Sequence, residues 1–299
     1  MSRKRKPGQT RPAQPDRAKA PKVRDAYVPR PFEGLADEPE WIALRELVPA
    51  ATAKLTLASD LIEQYGERDI TLSTVLPMAW PAMTKPDGRI FIGLQRHIQS
   101  SDVSRDLSVA ILEALQAEPG GPIAVPMVPG VGPRLQDILD DGPLDVTMHD
   151  TFAYWLDEGA TDDPEVAESL ERANESITPT VRLSAAHAAY WCKMTERAAH
   201  VRWVLPEDED AALDALARLS AAGDLTLGEG TKFAGMFRAH GRLIPVWDLP
   251  VTTPAADWEE PLADFAKRYA DTLAASGTEL TSVERRSRQG LIGRQLTIR

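Results

Sequence analysis

Residues Ala188–Pro250 read AAYWCKMTERAAHVRWVLPEDEDAALDALARLSAAGDLTLGEGTKFAGMFRAHGRLIPVWDLP. The apolar period changes along this stretch, and those changes set the fold class. Ala188 to Met194 and His200 to Leu205 are short runs with Tyr, Trp and Val, residues that suit a pleated, half-buried surface. After Pro206, the spacing of Leu213, Leu216 and Leu219 puts one apolar stripe on a helix that Gly223 ends. Phe233 to Ala239 and Arg242 to Trp247 are strand-like runs separated only by His240-Gly241, which predicts a two-residue hairpin. Thr178 to Leu183 adds a strand ahead of this stretch, and Asp257 to Ala275 adds a long helix behind it. The order β-β-β-α-β-β-α implies an α+β fold.

The first half follows the same logic. Asp37 and Pro39 supply a cap and first turn for a helix that carries Trp41, Leu44 and Leu47 and stops at Pro49. Strand-like runs follow at Lys54 to Ala58, at Ile70 to Leu76 and in a segment ending at Met83. Lys85-Pro86-Asp87-Gly88 is a turn, because Pro presets φ and Gly accepts a positive one. Arg89 to Gln95 reads as the return strand. A helix from Asp102, with Val103, Leu107, Ile111 and Leu115 four apart, runs to Pro119-Gly120-Gly121. Gly120 to Gly132 is loop-like, with a short strand near Ile123 to Met127. Pro143 to Glu175 holds a strand at Leu144 to Met148, a short helix at Thr151 to Leu156 and a helix opened by Asp163-Pro164.

The two halves share a pattern. Trp80, Met83, Thr84, Ile90 and Leu94 recur 111 residues later as Trp191, Met194, Thr195, Val201 and Leu205. Either an internal duplication or a chance likeness of two β-β-α units accounts for it. The resulting layout is a basic tail at 1–30, a first α+β lobe at 31–142 and a helical connector at 143–176. A second α+β lobe at 177–279 and a basic C-terminal segment at 280–299 complete it.

Charge separates these parts. Ten of the 34 Lys and Arg residues lie within the first 30 positions, where only Asp16 and Asp25 are acidic, a net +8. Residues 280–299 carry five Arg against Glu284, a net +4, and the 249 residues between hold 19 basic and 42 acidic side chains, a net −23. The first segment is rich in Pro, Arg, Lys, Gln and Ala and offers too little apolar surface to offset chain ordering, so it reads as disordered. Cys192 is the single Cys, which excludes intramolecular disulfides and fits a reducing cytosol. The basic N-terminus has no apolar stretch behind it and no run approaches the length of a membrane span, so a soluble, cytoplasmic protein is expected.

Candidate chemistry is sparse. Gly228-Glu229-Gly230-Thr231-Lys232 lacks the spacing and the Lys-Ser/Thr order of a phosphate loop and reads as a connector into the hairpin. His97, His149, His187, His200 and His240 have no zinc-like spacing with one another or with Cys192. Cys192 facing His200 across its hairpin would resemble an activated thiol, but Tyr190, Trp191 and Met194 around it favour a buried, inert one. Asp137, Asp140, Asp141, Asp145 and Asp150 beside His149 suggest a divalent ion or, better, a solvated loop face. Glu207 to Asp210 follow Pro206 at a helix N-terminus, where the dipole favours negative charge. The seven Trp residues are expected mostly in the core.

The segments PFEGLADEPEWIALRELVPAAT, PMAWPAM, GPRLQDILD, AAYWCKM, LGEGTKFAGMFRAHGRLIPVWDLP and GLIGRQLTIR are similar to those of an uncharacterised family of actinobacterial proteins, a domain of unknown function, over Pro31 to Arg299. Automatic labels on some members, such as preprotein translocase subunit or topoisomerase, have no support in these residues, since the ATP-driven motors behind them need a nucleotide site. The resemblance implies a bacterial, cytosolic setting and brings no catalytic residues.

The expectation for function is a binding or interaction protein. Its tail cations Arg3, Lys4, Arg5, Lys6, Arg11, Arg17, Lys19, Lys22 and Arg24 would contact nucleic acid or another polyanion. An enzyme acting on a small molecule in a cleft between the lobes is the alternative. No catalytic, cofactor or metal residues are assigned, and no membrane partner is expected.

Overall fold

The computed structural model describes residues 25–97, 99–275, 277 and 279–293. It is a mixed α+β fold with two sheets. In chain order the first half comprises α1 (Glu38–Glu46), β1 (Ala51–Leu55), α2 (Ser59–Tyr65), β2 (Ile70–Ser73), β3 (Ala82–Thr84), β4 (Ile90–Gly93), α3 (Val103–Gln116), β5 (Pro122–Ile123), α4 (Leu135–Ile138), β6 (Val146–Met148) and α5 (Pro164–Asn174). The second half comprises β7 (Thr180–Leu183), β8 (Ala189–Thr195), β9 (Ala198–Trp203), α6 (Glu209–Ala222), β10 (Lys232–Ala239), β11 (Arg242–Leu249), α7 (Glu259–Ala274) and α8 (Ser282–Ile292).

The first sheet has the order β5-β3-β4-β2-β1-β6, with β2 and β4 parallel and every other pair antiparallel. Strand β6, from the stretch read as a helical connector, pairs along β1 and closes one edge. The second sheet, β10-β11-β9-β8-β7, is antiparallel throughout. Both halves contain an antiparallel strand pair followed by a helix, β3-β4-α3 and β8-β9-α6, but the sheets around them differ in order and direction. Their correspondence is local.

The second sheet is apolar on both faces, which explains why its strands read as continuous apolar runs rather than clean alternations. Tyr190, Phe237, Ile244 and Val246 face the first lobe and join its core. Their strand neighbours Trp191, Met236, Leu243 and Trp247 face the other way, onto α6, α7 and α8. There the ring of Trp247 meets Phe265 edge-on at 4.9 Å, and its indole N–H donates to the Leu225 carbonyl at 2.8 Å.

Local chemistry sets the turns. His240 and Gly241 both have positive φ, 49° and 79°, the signature of a two-residue hairpin turn whose twist matches its strands. Glycine is required twice over at 241, since a Cβ there would lie 2.0 Å from Arg30 Cγ. At the other predicted turn, Lys85 N–H donates to the Arg89 carbonyl at 2.8 Å and Gly88 N–H donates to Lys85 at 2.9 Å.

Three findings differ from the sequence reading. The Lys54–Ala58 strand is displaced toward the N-terminus, to Ala51–Leu55, because Thr52 and Lys54 point outward between buried neighbours. Helix α2 was not read from the sequence, since its short apolar stripe of Leu61, Ile62 and Tyr65 is only partly buried. The segment 280–299 contains α8, which packs on α6. Its signal was present, for Thr281 and Glu284 form a reciprocal capping box. No described helix is long and apolar enough to cross a membrane.

Helix α1 ties the lobes together through charge. Asp37 occupies its cap position, but its carboxylate accepts from Leu144 N–H at 2.9 Å and pairs with His187 instead of capping. Buried Glu38 accepts from Arg242 at 2.6 Å and from Arg30 at 2.9 Å. Glu40, fully buried, accepts from the Tyr190 hydroxyl and lies 3.3 Å from Arg182. Removing one member of a buried pair strands the other charge, which typically costs about 3–5 kcal/mol. Arg242→Met is therefore expected to lower the unfolding free energy by about 3 kcal/mol in urea denaturation, with Arg30 retaining part of the interaction. Adding Glu38→Gln should recover part of that loss.

Candidate functional site

The nine tail cations Arg3, Lys4, Arg5, Lys6, Arg11, Arg17, Lys19, Lys22 and Arg24 lie outside the described residues. The described chain starts at Asp25, whose carboxylate accepts from Ser101 N–H at 2.8 Å and from its hydroxyl at 2.9 Å. Arg30, the tenth basic residue of the first 30, belongs to the body. Besides Glu38, it contacts Glu33 at 2.8 Å and Asp208 at 3.3 Å. Arg288 of the C-terminal segment is committed in the same way, bonding Asp214 and Asp210 of α6 at 2.6 Å each.

The pleat brings Cys192 opposite His200, and His200 opposite Asp248, so the three form one row across β8, β9 and β11. His200 Nδ1 lies 3.1 Å from Asp248 Oδ1. Burial pushes the Cys192 thiol pKa up and the His200 pKa down, which favours the neutral form of both. Arg202 and the His200 backbone pull the thiol pKa the other way, and burial outweighs them. The row is arranged as a packed neutral pair, and a thiolate is disfavoured in it.

The acidic stretch beside His149 is dispersed. Asp137 accepts from Arg134 N–H at 2.7 Å in the first turn of α4, and Asp141 accepts from Ala36 N–H at 2.7 Å. His149 Nε2 meets the Thr52 hydroxyl at 2.8 Å, and its ring packs 4.5 Å from Tyr154. Among the described residues no group of three His, Cys, Asp or Glu side chains could hold a metal ion. In the glycine loop, Thr231 Oγ1 accepts from Leu227 N–H at 3.1 Å and donates to the Gly228 carbonyl at 2.7 Å, closing a connector.

A cavity of about 460 Å³ lies within the first lobe. An inter-lobe pocket lined by Arg45, Cys192 and Arg202 is smaller, about 180 Å³. The larger one is bounded by the 3₁₀ turn Pro77–Ala79, by Trp80 and Pro81 after it and by residues 122–127, with Arg96 and Asp106 also in its wall. Met78 and Ala79 take positive φ of 53° and 52°, and each left-handed L-residue costs roughly 1–2 kcal/mol. Gly93 allows this turn to sit close, since a Cβ there would meet the Trp80 carbonyl oxygen at 2.4 Å. Arg96 and Asp106 are 4% and 3% exposed and meet at 3.3 Å. Sequence reading missed this cavity because its walls come from a turn, a loop, the residues after a strand and one side chain of α3, pieces distant in sequence that only the fold brings together.

Two outcomes follow. Cys192 should react slowly with a thiol reagent in the native protein and quickly after unfolding, as measured by the time course of absorbance with an aromatic disulfide. The second concerns pH. Asp37 raises the pKa of His187 above its ordinary value, chiefly through their hydrogen bond. The stability it adds is full below the unfolded imidazole value and lost as pH rises through the folded one. Asp37 itself is held below the usual carboxylate range; burial opposes this, but the His187 and Leu144 bonds outweigh it. Its contribution is present above the unfolded carboxylate value and fades in acid. His187→Ala should therefore lower the unfolding free energy more at about pH 6 than at about pH 9, by less than about 1 kcal/mol because the imidazole is half-exposed; urea denaturation at the two pH values measures this.

A family model described as a family of unknown function, DUF5926, matches residues 31–299. No curated protein and no solved structure matches the chain.

Proposed function

Since the chain belongs to the DUF5926 family, we propose that it is a binding protein of the cytoplasm, with a basic tail that contacts nucleic acid or another polyanion. One observation carries this reading: residues 1–24 bring nine Lys and Arg against Asp16 alone, beside a body of net −23. The internal pairing of Arg30 and Arg288 supports it. These cations of the two basic ends are spent on the body's own carboxylates, whereas the nine tail residues precede that network in the chain. Polyanion binding through them releases counterions, so it is sequence-tolerant and strongly salt-dependent. The acidic body repels the same polyanion, which confines contact to the tail.

The test is fluorescence anisotropy with labelled single-stranded RNA, on the full chain and on a variant lacking residues 1–24. The deletion stops there so that Arg30 and its partners stay in place. Full-length protein should bind with Kd roughly 10⁻⁴–10⁻⁶ M at physiological salt. With about six charges engaged, log K should fall against log salt with a slope near −4. The truncated chain should keep its Tm and lose binding; equal affinity for both forms would overturn the reading.

A further inference from the structure

The first-lobe cavity has a composition that calls for a ligand of a particular kind. Much of its lining is apolar, with Trp80, Ile123, Val125 and Met127 contributing, and Met78 and Met127 at its edge are 81% and 68% exposed. Methionine adapts to varied apolar shapes, and its sulfur interacts well with rings. A volume of about 460 Å³ falls within the range that takes an organic small molecule.

Against this wall stands Arg96. Its side chain is 4% exposed, and its polar contact among the described residues is one oxygen, Asp106 Oδ2, at 3.3 Å. That same oxygen accepts from Ser100 N–H at 2.7 Å. A guanidinium presents five N–H donors in a planar fork, so one long contact leaves most of its donor capacity for something else. The neighbouring Arg45 is different. Its nitrogens reach His240 at 3.2 Å, the Leu94 carbonyl at 2.5 Å and the Gln99 side chain. Arg45 also attracts Asp106 and is offset by Glu46. The strained turn at Met78 and Ala79 fits a functional wall, because such backbone is retained where the surroundings enforce it.

We propose that this cavity binds an organic acid, with the apolar body seated against Trp80, Val125 and Met127 and the carboxylate paired bidentately with Arg96. Planar, two-pronged pairing is what arginine offers and lysine does not. Asp106 holds the guanidinium in place and balances its charge. It also weakens the carboxylate's attraction, so removing its charge should tighten binding. This site is independent of the tail.

The experiment is isothermal titration calorimetry on the full chain with 4-phenylbutyrate, decanoate and indole-3-propionate, each against its primary amide. At least one acid should bind with Kd of roughly 10⁻⁴–10⁻³ M, as suits a ligand of this size. Its amide should bind about tenfold more weakly, since the charge-assisted pair is lost. Asp106→Asn should strengthen acid binding severalfold. The charge-balanced double variant Arg96→Gln/Asp106→Asn should abolish the preference for acid over amide. Val125→Trp, which fills the cavity, should remove binding of both. Equal affinity of acid and amide for the unmodified chain would overturn the proposal whether or not the variants fold. So would heats of binding from none of the three acids, or an acid preference that survives in the folded double variant.

Discussion

Two carboxylates buried near the start of α1 hold this architecture in register. Burying a charge is unfavourable unless a partner of opposite sign or a hydrogen bond meets it. Glu38 and Glu40 find those partners on the second sheet: Arg242 at the start of β11, Arg182 on β7 and Tyr190 on β8. Burial alone pushes the Glu40 pKa upward, and Tyr190 and Arg182 pull against that shift. A helix belonging to the first lobe by chain order is thereby fixed against the second. Apolar contact alone would tolerate sliding between the two faces; these directional bonds do not.

The same logic governs the distribution of charge. A body with net −23 repels itself, and its acidic helix starts are answered locally. Arg288 sits between Asp210 and Asp214, and Arg238 reaches Glu209 at 2.6 Å. The basic C-terminal segment, which by charge count resembles the tail, contributes to a helix packed on α6. Charge counts along a sequence cannot separate a cation that serves the fold from one offered to a partner; contacts can.

Most elements were legible because their signals are local. The His240-Gly241 hairpin, the turn at Gly88 and the helix capped by Asp102 follow from positive φ, proline and side-chain capping. The fold class followed from the change of apolar period between Ala188 and Trp247. Topology was less readable. The parallel pairing of β2 with β4 and the return of β6 to β1 depend on contacts distant in sequence. Helix α2 lay hidden because it is short and only partly buries Leu61, Ile62 and Tyr65, and α8 because its charge outweighed a readable cap. For the candidate sites, the cross-strand pairing of Cys192 with His200 could be anticipated, since opposite residues share a face. Asp248 could not, because nothing in sequence indicates that β11 lies beside β9. The first-lobe cavity had no signal at all: Arg96 and Asp106 are ordinary charged residues until the fold places them beside apolar walls.

The two-faced character of the second sheet bears on how the chain acquires its structure. A sheet covered by helices on one side only would present Tyr190, Phe237, Ile244 and Val246 to water. The C-terminal half is thus incomplete as a free-standing unit, although it is the later part of the chain to be synthesised. Strands β8, β10 and β11 complete this face only against the first lobe. The rows of backbone amides in β9 and β11, flanked by strands and covered on both faces, become the last to exchange with solvent and report the opening of the whole molecule. Each lobe thus depends on the other to cover its apolar surface.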